Sequence, residues 1–248
     1  MTPSSQGRTP TRPQAILFDL GDTVMVEERF DAAAGIKHLF AISKSPARGT
    51  DSTTQLNAAI VRYEEIRRLR ETSLIEFPYQ SFFTLLEHEF GLSFAISPSE
   101  LEAEFFHAVV TLIPKSGIES VLAFLQQAGL PCGIVSNAMF SGPALNIALT
   151  EQHLAHHFRF LISSADLGLR KPHPKLFEIA AKQLDLHPRD IWFVGDSYEN
   201  DIRGSANVGM FPIWLKPAET VVSPPQPPHY EAIDSWESFL PLLSEALG

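Results

Sequence analysis

Four apolar runs in this sequence each stop on polar residues that can do chemistry. After Ile16-Leu17-Phe18 come Asp19, Gly21, Asp22 and Thr23, and after Gly133-Ile134-Val135 come Ser136 and Asn137. Beyond the run at 158–163 the loop LGLRKPHP carries Lys171, and after Ile191-Trp192-Phe193-Val194 come Gly195, Asp196, Ser197, Asn200 and Asp201. Taken singly, each has an ordinary explanation. An Asp after a strand usually makes a turn or caps a helix, and Ser-Asn is a common loop pair. Lys171 before Pro172 can simply be solvated, and Asp196, Ser197 and Asn200 can cap the helix that follows. Their joint arrangement is what counts: three or more carboxylates, one hydroxyl and one ammonium at four strand ends describe a site for a charged ligand.

Those groups meet only if the runs are neighbouring parallel strands, because ligands of open parallel sheets bind at the strands' carboxyl ends. From Gly117 onward the pattern supports this. Helices are expected over Ile118–Ala128, Pro174–Leu184 and Glu199–Asn207, and strands over Pro131–Val135, Phe158–Ser163, Ile191–Val194 and Phe211–Leu215. Strands separated by helices imply right-handed crossovers and a sheet covered on both faces. Residues near 27–112 read instead as helix after helix with little strand pattern. Examples are Leu56–Arg70 and Tyr79–Phe90, the latter with apolar positions near helical spacing. The expected organisation is a loose tail over 1–14, an α/β core over 15–26 and 113–248, and a helical insert over 27–112. The stretch 217–230 with PPQPP reads as a loop, and Asp234 with Glu237 as a capping box opening a last helix.

Composition narrows the function. The 248 residues are 44% hydrophobic and 19% charged, an ordinary globular balance, and no apolar run approaches the length of a membrane span. Nineteen basic against 29 acidic residues leave a net charge of −10, which opposes nucleic-acid binding, and no basic face is visible. The single cysteine, Cys132, excludes an internal disulfide and reads as a small buried strand residue, which fits a reducing, cytoplasmic setting. The tail is rich in Pro, Ser, Thr and Arg in the manner of a transit peptide, but Pro3, Pro10 and Pro13 forbid an amphipathic helix there.

In their order and spacing, FDLGDT, IVSNA, the Lys171 of RKPHP and GDSYENDIRG resemble the four motifs of the haloacid dehalogenase superfamily, whose members are mostly phosphatases. The likeness runs from Ala15 to Leu247, and the insert is similar to the helical cap of one large subgroup. The resemblance implies a Rossmann-like parallel core with a helical cap, and a small phosphorylated metabolite as substrate. It implies Mg²⁺ as cofactor, held by Asp19, the backbone carbonyl of Gly21 and Asp196, with Asp201 as a further ligand or neighbour. Asp19 would be the nucleophile that forms an aspartyl-phosphate, with Lys171 and Ser136 holding the phosphoryl oxygens and Asn137 beside them. A monomer or homodimer is expected.

One departure stands out. Family phosphatases usually carry a second Asp two residues after the nucleophile, as leaving-group acid, and here that place is Gly21. General acid catalysis is typically worth ~10²–10⁴-fold, so its loss would weaken turnover without abolishing it. Asp22, or an acid from the cap side such as Glu27 or Glu28, is the candidate substitute. Two other readings follow: carbon–halogen hydrolysis, against which the Asp196 and Asp201 pair weighs, and a binding protein that lost efficient catalysis with that Asp. In the insert, Arg67, Arg68 and Arg70 read as a solvated face rather than a substrate contact, and Phe77, Tyr79, Phe82 and Phe83 as cap core. His153, His156 and His157 read as surface residues rather than metal ligands.

Overall fold

The computed structural model describes residues 12–45, 52–217 and 229–248. In chain order, β1 (Ala15–Phe18) and β2 (Met25–Phe30) precede four helices: α1 (Ala32–Ile42), α2 (Ser52–Glu71), α3 (Tyr79–Phe90) and α4 (Pro98–Val109). Then come β3 (Val110–Pro114), α5 (Ile118–Gln127), β4 (Cys132–Ser136), α6 (Gly142–Glu151), β5 (Leu161–Ser163), α7 (Ser164–Leu167) and α8 (Pro174–Leu184). The chain ends with β6 (Ile191–Gly195), α9 (Gly204–Asn207), β7 (Phe211–Leu215), β8 (Glu231–Ile233) and α10 (Trp236–Leu247).

Six strands form one parallel sheet in the order β5-β4-β1-β6-β7-β8, giving the expected α/β, Rossmann-like core. Side chains alternate across it. Ile16, Phe18, Trp192 and Val194 face α5 and α10, while Ala15, Leu17, Ile191 and Phe193 face α8. Burying a side chain such as Phe177, packed edge-on to Phe193 at 5.0 Å between centroids, contributes about 1.5–3 kcal/mol. Phe18 pairs with Ile134 on one side and Val194 on the other, so Asp19, Ser136 and Asp196 leave the sheet at the same edge.

The structure corrects several expectations. β2 and β3 form an antiparallel ribbon, from Met25 opposite Pro114 to Phe30 opposite Val110, where the sequence reads as helical. MVEERF is exposed over Glu27–Phe30 and lacks apolar alternation; its strand character comes from a partner some eighty positions away. The expected helix over Glu199–Asn207 opens as a wide turn over Tyr198–Arg203, in which the Ile202 N–H reaches the Ser197 carbonyl at 3.3 Å, before α9 begins. β5 is shorter than expected, although Arg159 N–H already bonds the Cys132 carbonyl. β8 was not expected, three residues being too few to show a pattern. The last helix is present, but its cap is Ser235, which accepts from the Ser238 N–H; Asp234 takes the Ser238 hydroxyl. The expected tail and the Pro-rich loop fall largely on residues 1–11 and 218–228, outside the described residues. Among the described residues, no helix is long and apolar enough to cross a membrane.

Candidate active site

The ammonium of Lys171 lies between two carboxylates at the sheet's carboxyl edge, 2.6 Å from Asp19 Oδ1 and 2.7 Å from Asp201 Oδ1. All three are buried, at 2%, 8% and 1% exposure for Lys171, Asp19 and Asp201. Burial alone would lower the pKa of Lys171, but Asp19 and Asp201 outweigh it and hold the ammonium charged. Asp196 completes the group. One carboxylate oxygen from each of Asp19, Asp196 and Asp201 lies within 4.8 Å of the others. Burial, with the charges of Asp19 and Asp22, pushes Asp196 up to about 6, and burial likewise raises Asp201.

Three carboxylates against one ammonium leave two negative charges in a buried space. A divalent ion would balance them, and an all-oxygen donor set suits a hard cation such as Mg²⁺. The residues present therefore fit the metal that the resemblance implies.

Local structure explains the placement. Asp19 follows the fully buried β1, and the turn after it is closed by Val24 and Met25 N–H bonds to the Leu20 carbonyl. Lys115 Nζ on the Asp22 carbonyl (2.6 Å) and Trp236 Nε1 on the Thr23 carbonyl (3.1 Å) pin that turn from β3–α5 and α10. Asp22 sits in the left-handed region at φ 54°. Asp201 is returned over the end of β6 by the wide turn, its Oδ2 accepting the Ser197 N–H at 3.0 Å. Trp214 Nε1 holds the Asp196 carbonyl at 2.8 Å. Ser197 caps the following turn through Asn200 N–H, and both residues also line the site.

A cavity of about 420 Å³ opens on this group. Asp19, Gly21, Asp22, Ser136, Asn137, Lys171, Asp196 and Asp201, the candidates named from sequence, all line it. Asn137 spends its side-chain amide on the backbone of Lys171. Glu27 lines the cavity too, its carboxyl raised by burial and then by Asp22.

The helical wall differs from expectation. Arg67 and Arg70 line the cavity, as does Tyr63 on the same helix, while Arg68 is exposed. The spacing of 63, 67 and 70 on α2 was the available signal, hidden because Arg68 and Arg62 make the run look uniformly charged. Tyr79 belongs to the buried aromatic cluster, 4.8 Å from Phe105 and 4.4 Å from Phe140, and lines the cavity as well. His153 and His156 are exposed and His157 half-buried on the surface, the last two with rings 4.0 Å apart. Cys132 is buried, which pushes its thiol up to about 12.

A residue with no signal in the sequence joins the helical segment to the sheet. Glu76 accepts from Arg70 Nε (2.6 Å) and Nη2 (2.8 Å), Arg170 Nη1 (2.6 Å), Ser164 Oγ (2.7 Å) and the Phe77 N–H (3.0 Å). Backbone bonds from Glu76 to Gly168 and from Arg170 to Leu74 run beside it. Glu102 makes a second tie, accepting from the Ser141 N–H and hydroxyl at the start of α6.

A family model described as haloacid dehalogenase-like hydrolase matches residues 13–209. The chain is 32% identical over 111 residues to a phosphoserine phosphatase of Thermus thermophilus, 43% of each chain. Over 207 residues it is 25% identical to a pyrimidine 5'-nucleotidase of Escherichia coli, 81% of this chain and 84% of that one. The matched stretch spans less than half the length of several curated relatives. A phosphatase structure from Thermococcus onnurineus superposes with TM-score 0.66 at 21% identity, over 92% of this chain and 97% of that one. A 2-haloacid dehalogenase from Pseudomonas syringae does so with TM-score 0.62 at 18% identity, over 94% and 99%, a likeness of fold. With most of its length matched by the family model and its four motifs gathered at one sheet edge, the chain belongs to the haloacid dehalogenase-like hydrolases.

Proposed function

We propose that this protein is a Mg²⁺-dependent phosphatase that hydrolyses a small phosphorylated metabolite through an aspartyl-phosphate on Asp19. The carrying observation is the buried Lys171 ammonium, 2.6 Å from Asp19 within a group of three carboxylates. Bound Mg²⁺, held by Asp19, Asp196, Asp201 and the Gly21 carbonyl, supplies positive charge that offsets the repulsion between carboxylate and phosphate. An Asp19 carboxylate oxygen attacks phosphorus, the bond to the ester oxygen breaks, and the leaving oxygen takes a proton. Water, giving one proton back to the side chain that supplied it, then attacks the phosphorus of the acyl phosphate, releasing inorganic phosphate and restoring the Asp19 carboxylate. Lys171 and Ser136 donate to the phosphoryl oxygens throughout. Helices α1–α4 act as a cap that keeps bulk water and large substrates out.

With glycine at position 21, the proton comes from Asp22 or Glu27, the acids that line the cavity outside the metal group and the ion pairs of α2; Glu28 lies off it. Glu27, its pKa raised by burial and by Asp22, suits a donor. Relatives named as phosphatases of phosphoserine, phosphoglycolate and glyceraldehyde 3-phosphate support a small substrate.

The test is release of nitrophenol from 4-nitrophenyl phosphate with Mg²⁺ and with EDTA, for the parent and Asp19→Asn. The good leaving group reports on Asp19 and metal whichever residue is the acid. Turnover that needs Mg²⁺ and vanishes in Asp19→Asn supports the proposal. A parent no faster than Asp19→Asn overturns it in favour of a binding protein.

A further inference from the structure

The helical wall of the cavity carries a guanidinium, that of Arg70, which the phosphate chemistry does not use. Glu76 is one carboxylate shared by two guanidiniums, those of Arg70 and Arg170. The Glu76 side chain is wholly buried, and those of Arg70 and Arg170 are 15% and 13% exposed. Burial opposes ionisation of Glu76, but the bond and charge of Arg70, the Ser164 hydroxyl and the charge of Arg170 prevail and lower its pKa. Two guanidiniums thus share one carboxylate where water screens poorly, with Glu71, paired to Arg67, as the next acid acting on Arg170. Burial first, and then Arg70, press the pKa of Arg170 downward against the opposing pull of Glu76 and Glu71.

Of the pair, Arg70 is the one that lines the cavity. Its Nε and Nη2 are committed to Glu76, and its Nη1 makes no hydrogen bond among the described residues. Arg67 lines the cavity one turn earlier, but it is paired with Glu64 and Glu71 on its own helix, at half-exposed positions where such pairs are weak. Resting on the phosphatase reading, we propose that Arg70 binds a second anionic group of the substrate, a carboxylate. The substrate class is then a small phosphate monoester bearing a carboxylate away from the ester. The free end of the guanidinium matches a carboxylate, and the neutral analogue is disfavoured because Nη1 then loses a charge-assisted partner while Nε and Nη2 stay on Glu76. Tyr63 and Tyr79, on the same cavity wall, supply contact for the short carbon body between the two anions.

The experiment compares 3-phosphooxypropanoate with its uncharged isostere 3-phosphooxypropanamide, alongside 1,3-propanediol bisphosphate and 4-nitrophenyl phosphate, on the parent and on Arg70→Met with Mg²⁺. The parent is expected to prefer acid over amide in kcat/KM by about tenfold or more, carried mainly by KM, which corresponds to ~1.4 kcal/mol. In Arg70→Met the ratio falls to near one. Glu76→Gln, which removes the shared anion, serves as a second variant and raises the ratio. A parent ratio near one with 4-nitrophenyl phosphate still hydrolysed overturns the assignment of Arg70 alone. Preference for the bisphosphate over the acid overturns the carboxylate. No turnover of any substrate, 4-nitrophenyl phosphate included, brings down the phosphatase reading and this inference with it.

Discussion

Asn137 and Lys171 exchange two hydrogen bonds: the Asn137 Nδ2–H donates to the Lys171 carbonyl at 3.0 Å, and the Lys171 N–H donates to Asn137 Oδ1 at 2.7 Å. Expected beside the substrate, the Asn137 side chain is thus bound to the chain that presents the buried ammonium. Asn137→Ala frees the backbone at residue 171, and an ångström of misplacement at a charged centre costs on the order of 10²-fold. Steady-state kinetics on 4-nitrophenyl phosphate should show kcat falling by about tenfold to a hundredfold. An unchanged kcat would remove Asn137 from the support of Lys171.

Glycine is required at position 195 by the close approach of a carboxylate. A Cβ added there would lie 2.4 Å from Asp201 Cγ, a distance at which one of the two must move. Gly195→Ala therefore displaces Asp201, and loss of such ligand support typically costs about 10–100-fold in metal affinity. Titrating activity with Mg²⁺ should show half-activation shifted upward by that order; an unshifted curve would place the metal away from Asp201.

Position 21 is the reverse case. A Cβ at Gly21 meets no atom within 4 Å, and its φ is not among the positive values, so neither space nor backbone demands glycine. Gly21→Asp can add a proton donor next to the leaving group. Turnover of alkyl phosphates, whose leaving oxygens need the proton most, should rise by ~10²-fold or more, while 4-nitrophenyl phosphate changes little. Slower alkyl turnover in that variant would mean that the acid already in place, Asp22 or Glu27, is obstructed.

The Glu76 centre makes stability depend on pH. Replacing Glu76 with Gln leaves two buried guanidiniums without their anion, a change that costs about 3–5 kcal/mol. The folded-state pKa of Glu76 lies below its ordinary value of 4.5, so the carboxylate stabilises the fold fully above that pH and loses its contribution as pH falls through the folded-state value. Urea unfolding of the parent and Glu76→Gln should show a gap that is widest near neutrality and closes as the solution is acidified below pH 4.5. A gap independent of pH would mean that packing, not charge, accounts for the difference.

How far the site can be read from sequence follows from which contacts are local. Asp19, Ser136 and Asp196 were legible because each directly follows a buried run, and parallel pairing of those runs brings their ends together. Helices α3 and α8 were legible to the residue, each flanked by its own stop signals, Pro78 and Gly91 for the first and Pro174 and Asp185 for the second. The ribbon of β2 and β3 was not, since the two strands depend on each other across the whole insert. Glu76 gave no signal either: its partners Ser164 and Arg170 lie 88 and 94 positions away. Arg70 stands six positions from Glu76 but on a helix that also carries Arg62 and Arg68, which do not line the cavity, and only the fold separates it from them.

Because Met25 pairs with Pro114 and Phe30 with Val110, the insert leaves and rejoins the sheet domain through two strands lying side by side. The ends of the insert are held at a fixed spacing whatever lies between them, and lengthening a loop whose ends already meet costs only slowly more entropy. Evolution and the protein engineer can therefore exchange everything between Phe30 and Val110 as one cassette. The sheet keeps its register under such an exchange, and the incoming segment needs its own counterparts of Glu76 and Glu102 to close down on the sheet's carboxyl edge.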